Sequence, residues 1–220
     1  MKIKKLRELI EVPKAELVLH TRSSEVTLRN QTCHTLFKTH SEKNSFYSSL
    51  SKNSEVLIFD CDLNLSSKES GYDNIVSIYS SAELLQQLTQ LYLNPSTPLS
   101  LQQLRLVIIE NISVFYWTLK LGRDLNYYVQ LADLLSKITQ KYGCNAIVTS
   151  WDNDYERGYN YNRQRSGNEA HGDVQKDPNQ HTLQNVSYLP RQYYDRVDLV
   201  THYGGGFVFE PKKEKSERVR

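Results

Sequence analysis

The run Leu106-Val107-Ile108-Ile109 most constrains the fold, because four consecutive apolar residues put hydrocarbon on both faces of a strand. Such a strand needs cover on both sides, as in a parallel sheet flanked by helices. "EVLIFD" (55–60), "NIVSIY" (74–79) and "NAIVTSW" (145–151) repeat the pattern at intervals long enough for helical crossovers. The intervals carry helix signals. Ser80 stands three residues before Glu83, the spacing of a capping box. Leu84, Leu85, Leu88, Leu91 and Tyr92 then recur at helical spacing until Pro95 and Pro98. Tyr128, Leu131, Leu135 and Ile138 mark a second amphipathic helix, with Gly143 placed to cap it. "TLKLGRDLN" (118–126), between the apolar strand and that helix, reads as a loop.

These elements predict an α/β fold with a mostly parallel central sheet. "AELVLH" (15–20) is a candidate first strand. "VDLVTHY" (197–203) and "GFVFE" (206–210) predict antiparallel strands near the C-terminus, joined by a tight connection at Gly204-Gly205. Residues 152–187 hold almost no aliphatic side chain over about 35 positions, far beyond an ordinary connection. That composition predicts a long functional loop or a disordered one. The organisation expected is one domain over residues 1–210 and a flexible basic tail over 211–220.

Composition narrows the function. A formal net charge of +2 is too small for a general polycation, so nucleic-acid contact would have to come from local patches. Tyrosine numbers 15 against 6 phenylalanines, and much of it lies in the second half among Asn and Arg. Cys33, Cys61 and Cys144 are scattered and odd in number, which argues against a disulfide scaffold, a zinc ribbon or a redox pair. Cys33-His34 with His40 is half a metal set with no other half, so packing is the simpler role. The charged start "MKIKKLRELIEVPK" lacks a signal-peptide core, and no apolar run approaches the ~20 residues of a membrane span. A soluble, intracellular protein with no membrane partner is the expectation.

The apolar strand stops at Glu110-Asn111, where nucleotide-driven α/β proteins keep an acid that helps organise magnesium. A phosphate-binding loop, however, needs glycines followed by Lys and Ser/Thr. The pattern GxxxxGK[ST] is missing and the first glycine is Gly71, beyond the "EVLIFD" strand. ATP hydrolysis by that mechanism is therefore not expected, and neither is any other cofactor.

"VLIFDCD", "IVSIYSSAELLQQL" and "LRLVIIENISVFYW" follow the core order of RecA-type recombinases, and the chain resembles the accessory paralogs of the eukaryotic strand-exchange protein. "LPRQYYDRVDLVTHY" is similar to the segment after the second DNA-binding loop in RecA-like subunits of the fungal Shu complex. The resemblance covers roughly residues 56–209. It implies a RecA-like core, and the missing phosphate loop agrees with Shu-type subunits, which lack a working ATPase. Glu110 stands where the family usually has Asp, a further departure from metal–nucleotide binding.

The resemblance also implies two DNA-facing loops. The first, at 118–126, carries Lys120 and Arg123. The second contains "RGYNYNRQR" (157–165), where Arg157, Arg163 and Arg165 surround Tyr159 and Tyr161 with no acid inside. Guanidinium groups neutralise phosphates and tyrosine rings stack on unpaired bases. Acidic flanks (Asp152, Asp154, Glu156, Glu169, Asp173, Asp177) oppose this attraction. Lys212, Lys213 and Lys215 in the tail, and Lys2, Lys4, Lys5 and Arg7 at the start, could add sequence-independent phosphate contacts.

For a protein partner, Tyr116, Trp117, Tyr193 and Tyr194 are candidate anchors, since Tyr and Trp dominate interface hot spots. Phe115 fits the core better, and Tyr193 and Tyr194 fit either role. Asp60, Asp62 and Glu110 could converge at strand ends as a divalent-metal nuclease site. No His or Lys stands near them in sequence, which favours plain strand-end acids and no metal.

The resemblance thus implies a non-catalytic nuclear subunit of a recombination-mediator complex. It would pair with another RecA-like paralog as a heterodimer or in a larger assembly, bind single-stranded or forked DNA, and help the strand-exchange recombinase assemble or persist on DNA. A bridging subunit that touches only proteins is the alternative.

Overall fold

The computed structural model describes residues 16–21, 25–49, 55–65, 74–93, 104–152 and 189–209. Six strands form a parallel sheet: β3 (Thr32–Phe37), β4 (Val56–Asp60), β5 (Ile75–Ser77), β6 (Leu106–Glu110), β7 (Asn145–Trp151) and β8 (Leu199–Phe209). An antiparallel hairpin, β1 (Glu16–Thr21) and β2 (Glu25–Arg29), continues the sheet beyond β8, giving the order β2-β1-β8-β3-β7-β6-β4-β5. The α/β class and the mostly parallel centre are as expected, and the C-terminal strand does take an antiparallel partner, though that partner is β1.

The helices are α1 (His40–Ser49), α2 (Ser81–Leu93), α3 (Tyr116–Leu121), α4 (Asn126–Tyr142) and the single turn α5 (Arg191–Tyr194), with a 3-10 turn at Ile112–Phe115 before α3. Alternation along each central strand divides the core. Leu57, Phe59, Val107, Ile109, Ala146 and Val148 face α2 and α4, against Leu84, Leu88, Leu131 and Leu135. Val56, Ile58, Leu106, Ile108 and Ile147 face α1 and the hairpin, against Phe46, Tyr47, Leu17 and Leu28. Every position of β4, β6 and β7 is buried, which is why these strands read as continuous apolar runs. Fully burying one Leu or Ile contributes roughly 1.5–3 kcal/mol, so the two layers supply most of the drive to fold.

Local signals match the ends of α2 and α4. The Glu83 amide donates to Ser80 Oγ at 3.2 Å, while Glu83 Oε2 accepts from the Tyr79 amide at 2.9 Å. Gly143 ends α4 at φ 63°, the left-handed region that favours glycine. No helix among the described residues is long and apolar enough to cross a membrane.

Two expectations are corrected. Gly204-Gly205 does not turn the chain between two strands. β8 runs through it, pairing with β3 from Leu199 to His202 and antiparallel with β1 from Tyr203 onward. The register slips there, with His20 opposite Gly206 and Thr21 opposite Tyr203, so the glycines absorb an irregularity as the strand changes partners. Residues 118–126 are not a plain loop: α3 occupies the first part and only a short turn precedes α4. Beyond these corrections, β2, β3 and α1 arise from a stretch for which the sequence predicted no element. β3 is buried at all six positions although it reads TCHTLF. Its polar groups find partners inside. His34 Nδ1 lies 2.8 Å from Tyr193 Oη, and its Nε2 lies 2.8 Å from Ser150 Oγ. Burial drives the His34 pKa down to about 3, so the ring stays neutral. Cys33 is likewise buried and free, as are Cys61 and Cys144, which fits packing.

Candidate functional site

In open α/β sheets, ligands bind beyond the carboxyl ends of the strands, near the point where the strand order reverses. Here α1 follows β3 on one face while α2 and α4 cover the other. The β3–α1 connection is only Lys38-Thr39, too short to wrap a phosphate chain. Lys38 donates its amide to Glu42 Oε2 at 2.7 Å, and Thr39 Oγ1 accepts the Glu42 amide at 3.1 Å, so the chain enters helix at once.

The three strand-end carboxylates do come together. Asp60 closes β4, Glu110 closes the adjacent β6, and the two residues pair in register. Both are buried, at 1% and 0% exposure. The Asp62 amide donates to Asp60 Oδ1 and to Glu110 Oε2, each at 3.2 Å, and the Leu65 amide donates to Asp60 Oδ2 at 2.8 Å. At the centre stands Lys43 from α1. Its ammonium pairs with Glu110 Oε1 and with Asp62 Oδ2, the latter at 3.2 Å, and lies 5.4 Å from the Trp151 ring centroid. The Lys43 side chain is 8% exposed.

Electrostatics follow from that geometry. Burial pushes the Glu110 carboxyl up to about 7, although Lys43 pulls in the opposite direction. Burial also works to lower the Lys43 pKa, yet Glu110 and Asp62 outweigh it and hold the ammonium above its ordinary value. Among the described residues, no group of three or more His, Cys, Asp or Glu side chains is arranged to hold a metal ion. The lysine that sequence proximity failed to supply comes from another element. One signal could have found it, because Lys43, Phe46 and Tyr47 share a helical stripe, and both rings are buried.

A second arrangement lies just outside the first. β6 leads through Asn111, at φ 51°, into the 3-10 turn and α3. Val114, Trp117 and Leu121 fall on one helical face and stay exposed, Trp117 at 57% and Leu121 at 85%. The Lys120 ammonium lies 5.0 Å from the Trp117 ring centroid and 5.5 Å from that of Tyr116. Gly122 follows at φ −74° as the C-terminal cap of α3, its amide donating to the Thr118 carbonyl oxygen at 2.9 Å. Arg123 then takes φ 58°, an uncommon position for an arginine, and is exposed. Lys120, Arg123, Tyr116 and Trp117, expected in two separate roles, thus share one short surface. Phe115 packs in the core.

Tyr193 and Tyr194 are buried at 0% and 7% exposure, against His34 and Tyr128, so in this conformation they offer a partner almost no ring surface. Their packing follows from the His34 hydrogen bond and the apolar layer beside α4. Arg157, Tyr159, Tyr161, Arg163, Arg165, Lys212, Lys213 and Lys215 lie outside the described residues, as do Lys2, Lys4, Lys5 and Arg7. The point where the long segment departs is defined. β7 ends at Trp151, and Asp152 Oδ2 lies 2.7 Å from His202 Nε2 of β8. Because β6 and β7 are parallel neighbours, with Ile109 opposite Val148, the two strands end side by side at the same edge of the sheet.

Residues 1–204 match a protein family described as "Shu complex component Psy3, DNA-binding description". No curated relative matches the chain at a significant level. A match over nearly the whole length, on an α/β core, places the chain in the Psy3 family of Shu complex components.

Proposed function

We propose that this chain is a non-catalytic subunit of a recombination-mediator complex that binds single-stranded or forked DNA and promotes assembly or stability of the recombinase filament during homologous recombination repair. It pairs with another RecA-like paralog, contacts the strand-exchange recombinase through the assembled complex, and works in the nucleus. The observation that carries the reading is that β6, which leads into the exposed α3 surface, and β7, which the Arg/Tyr segment follows in sequence, are parallel neighbours ending at one edge of the sheet. Two cations and a half-exposed tryptophan on α3 and its closing turn are suited to phosphate and base contact, alongside Arg157, Tyr159, Tyr161, Arg163 and Arg165. Residues 1–210 act as one domain, and the tail cations Lys212, Lys213 and Lys215 add salt-sensitive attraction. The pairing of Lys43 with Glu110 and Asp62 supports a role without a nucleotide cycle.

The exposed Val114–Trp117–Leu121 stripe favours a second reading, in which α3 docks on a protein and the subunit only bridges. Anisotropy of labelled single-stranded DNA, measured on the complex at two salt concentrations, separates the two. Replacing Arg157, Arg163 and Arg165 by alanine should weaken binding and flatten its salt dependence. If the intact complex binds no DNA, the bridging reading stands.

A further inference from the structure

We infer that Lys43 is a built-in cation: its ammonium stands among the strand-end carboxylates where a ligand-driven α/β protein holds a metal-bound phosphate, and it locks the start of the α3 surface without any ligand. The inference does not depend on DNA binding. Asp60 and Glu110 end adjacent parallel strands, at the carboxyl edge where such folds bind their ligands. The Asp60 and Asp62 carboxylates both disfavour a charge on Glu110, as like charges do, and would do so unopposed if no positive charge stood among them. Lys43 supplies that charge from a different element, almost fully enclosed, with Trp151 against its ammonium.

The remaining carboxylate oxygens are largely engaged by the chain. Asp60 accepts the Asp62 and Leu65 amides, Glu110 Oε2 accepts the Asp62 amide, and Asp62 Oδ2 also accepts Asn64 Nδ2 at 2.8 Å. A soluble cation would have to displace Lys43 to enter. The coupling to α3 is direct. Glu110 is the last residue of β6, Asn111 turns the chain in the left-handed region, and its amide donates to Thr149 Oγ1 at 2.9 Å. Asn111 Oδ1 then accepts the Ser113 hydroxyl at 2.6 Å, and the 3-10 turn and α3 follow. Holding Glu110 therefore holds the root of the segment that carries Trp117 and Lys120.

The test uses the chain together with its copurifying partner. In Lys43→Ala, amide exchange at residues 61–65 and 111–123 should accelerate on the order of a hundredfold, because removing one member of a buried ion pair strands the other charge. Millimolar n-propylammonium should restore protection, by placing an ammonium in the vacated space, whereas tetramethylammonium at equal concentration should not. Lys43→Met keeps the apolar stem and separates charge from packing. It should exchange as fast as Lys43→Ala at pH 8 and recover towards pH 5. The groups facing Glu110 there are Lys43 and Tyr47 from α1 and Asp60, Cys61 and Asp62 from the end of β4, and protonating Glu110 removes the stranded charge. Wild-type protection in Lys43→Met at pH 8 would overturn the inference, as would failure of n-propylammonium to distinguish itself from tetramethylammonium. So would stoichiometric binding of manganese to the wild-type complex that Glu110→Gln abolishes.

Discussion

Glu110 and Trp117 stand seven positions apart and meet opposite environments. The first is sealed at 0% exposure against an ammonium from α1, and the second lies 57% exposed beneath a surface lysine. Both cation contacts use a lysine, but the inner one is enclosed and the outer one is wet. An enclosed ion pair resists removal of either member, since the survivor is left unpaired in a poorly solvated place. An exposed cation over an aromatic ring contributes little to stability and is free to meet a ligand. The same strand end thus divides its work between holding the fold and presenting a surface.

Breaking the inner pair should have the largest effect. Lys43→Met is expected to lower unfolding free energy by about 3–5 kcal/mol at pH 8, measured by denaturant titration of the complex. Adding Glu110→Gln should recover part of that loss, because no buried charge is then stranded, and the double-mutant cycle reads the coupling. If the two losses simply add, the pair does not interact as described. The pH dependence has a definite sign. The Glu110 carboxyl rises from 4.5 to about 7 on folding, so its contribution is complete below pH 4.5 and is lost as pH rises to about 7.

His34 provides the opposite sign and the next effect. Its pKa falls from 6.5 to about 3, so its contribution is complete above pH 6.5 and is lost as pH falls towards 3. His34→Phe should cost about 1–3 kcal/mol at pH 7, because the Tyr193 and Ser150 hydroxyls lose that partner, while making the remaining stability less sensitive to acid. Acid-unfolding curves of variant and wild type that run parallel below pH 6 would rule this out.

On the outer surface, Trp117→Ala with Lys120→Ala should leave the melting temperature nearly unchanged. DNA affinity should drop roughly ten- to a hundredfold, as for loss of a stacked base, ~1–3 kcal/mol. Co-purification distinguishes the second reading: if the partner is lost and DNA affinity per complex is not, α3 is a protein interface. The smallest expected change is Arg123→Gly. Glycine accepts φ 58° without the Cβ penalty, so stability should rise by ~1 kcal/mol while the salt slope of DNA binding falls by about one contact.

Strands β4, β6 and β7 were legible because they are buried on both faces, and their apolar runs state as much. The start of α2 and the end of α4 were legible because a capping box and a left-handed glycine act locally. β3 was not. Threonine, cysteine and histidine read as surface residues until Ser150 and Tyr193 arrive, 116 and 159 positions away, to satisfy the histidine ring. The aromatic and basic content of α3 was visible, but its helical form, and the meeting of Lys120 with Trp117, required the turn after Glu110.

The fold class was readable from residue order alone, as was the absence of the GxxxxGK[ST] pattern, since hydrophobic periodicity and the placement of glycine are properties of neighbouring residues. The environment of the strand-end acids, by contrast, came from tertiary packing. Lys43 lies 19 positions from Asp62, and crossing strands and a helix bring its ammonium among carboxylates that sequence left without a partner. Charge pairing of that kind depends on distance in space, which local pattern does not encode.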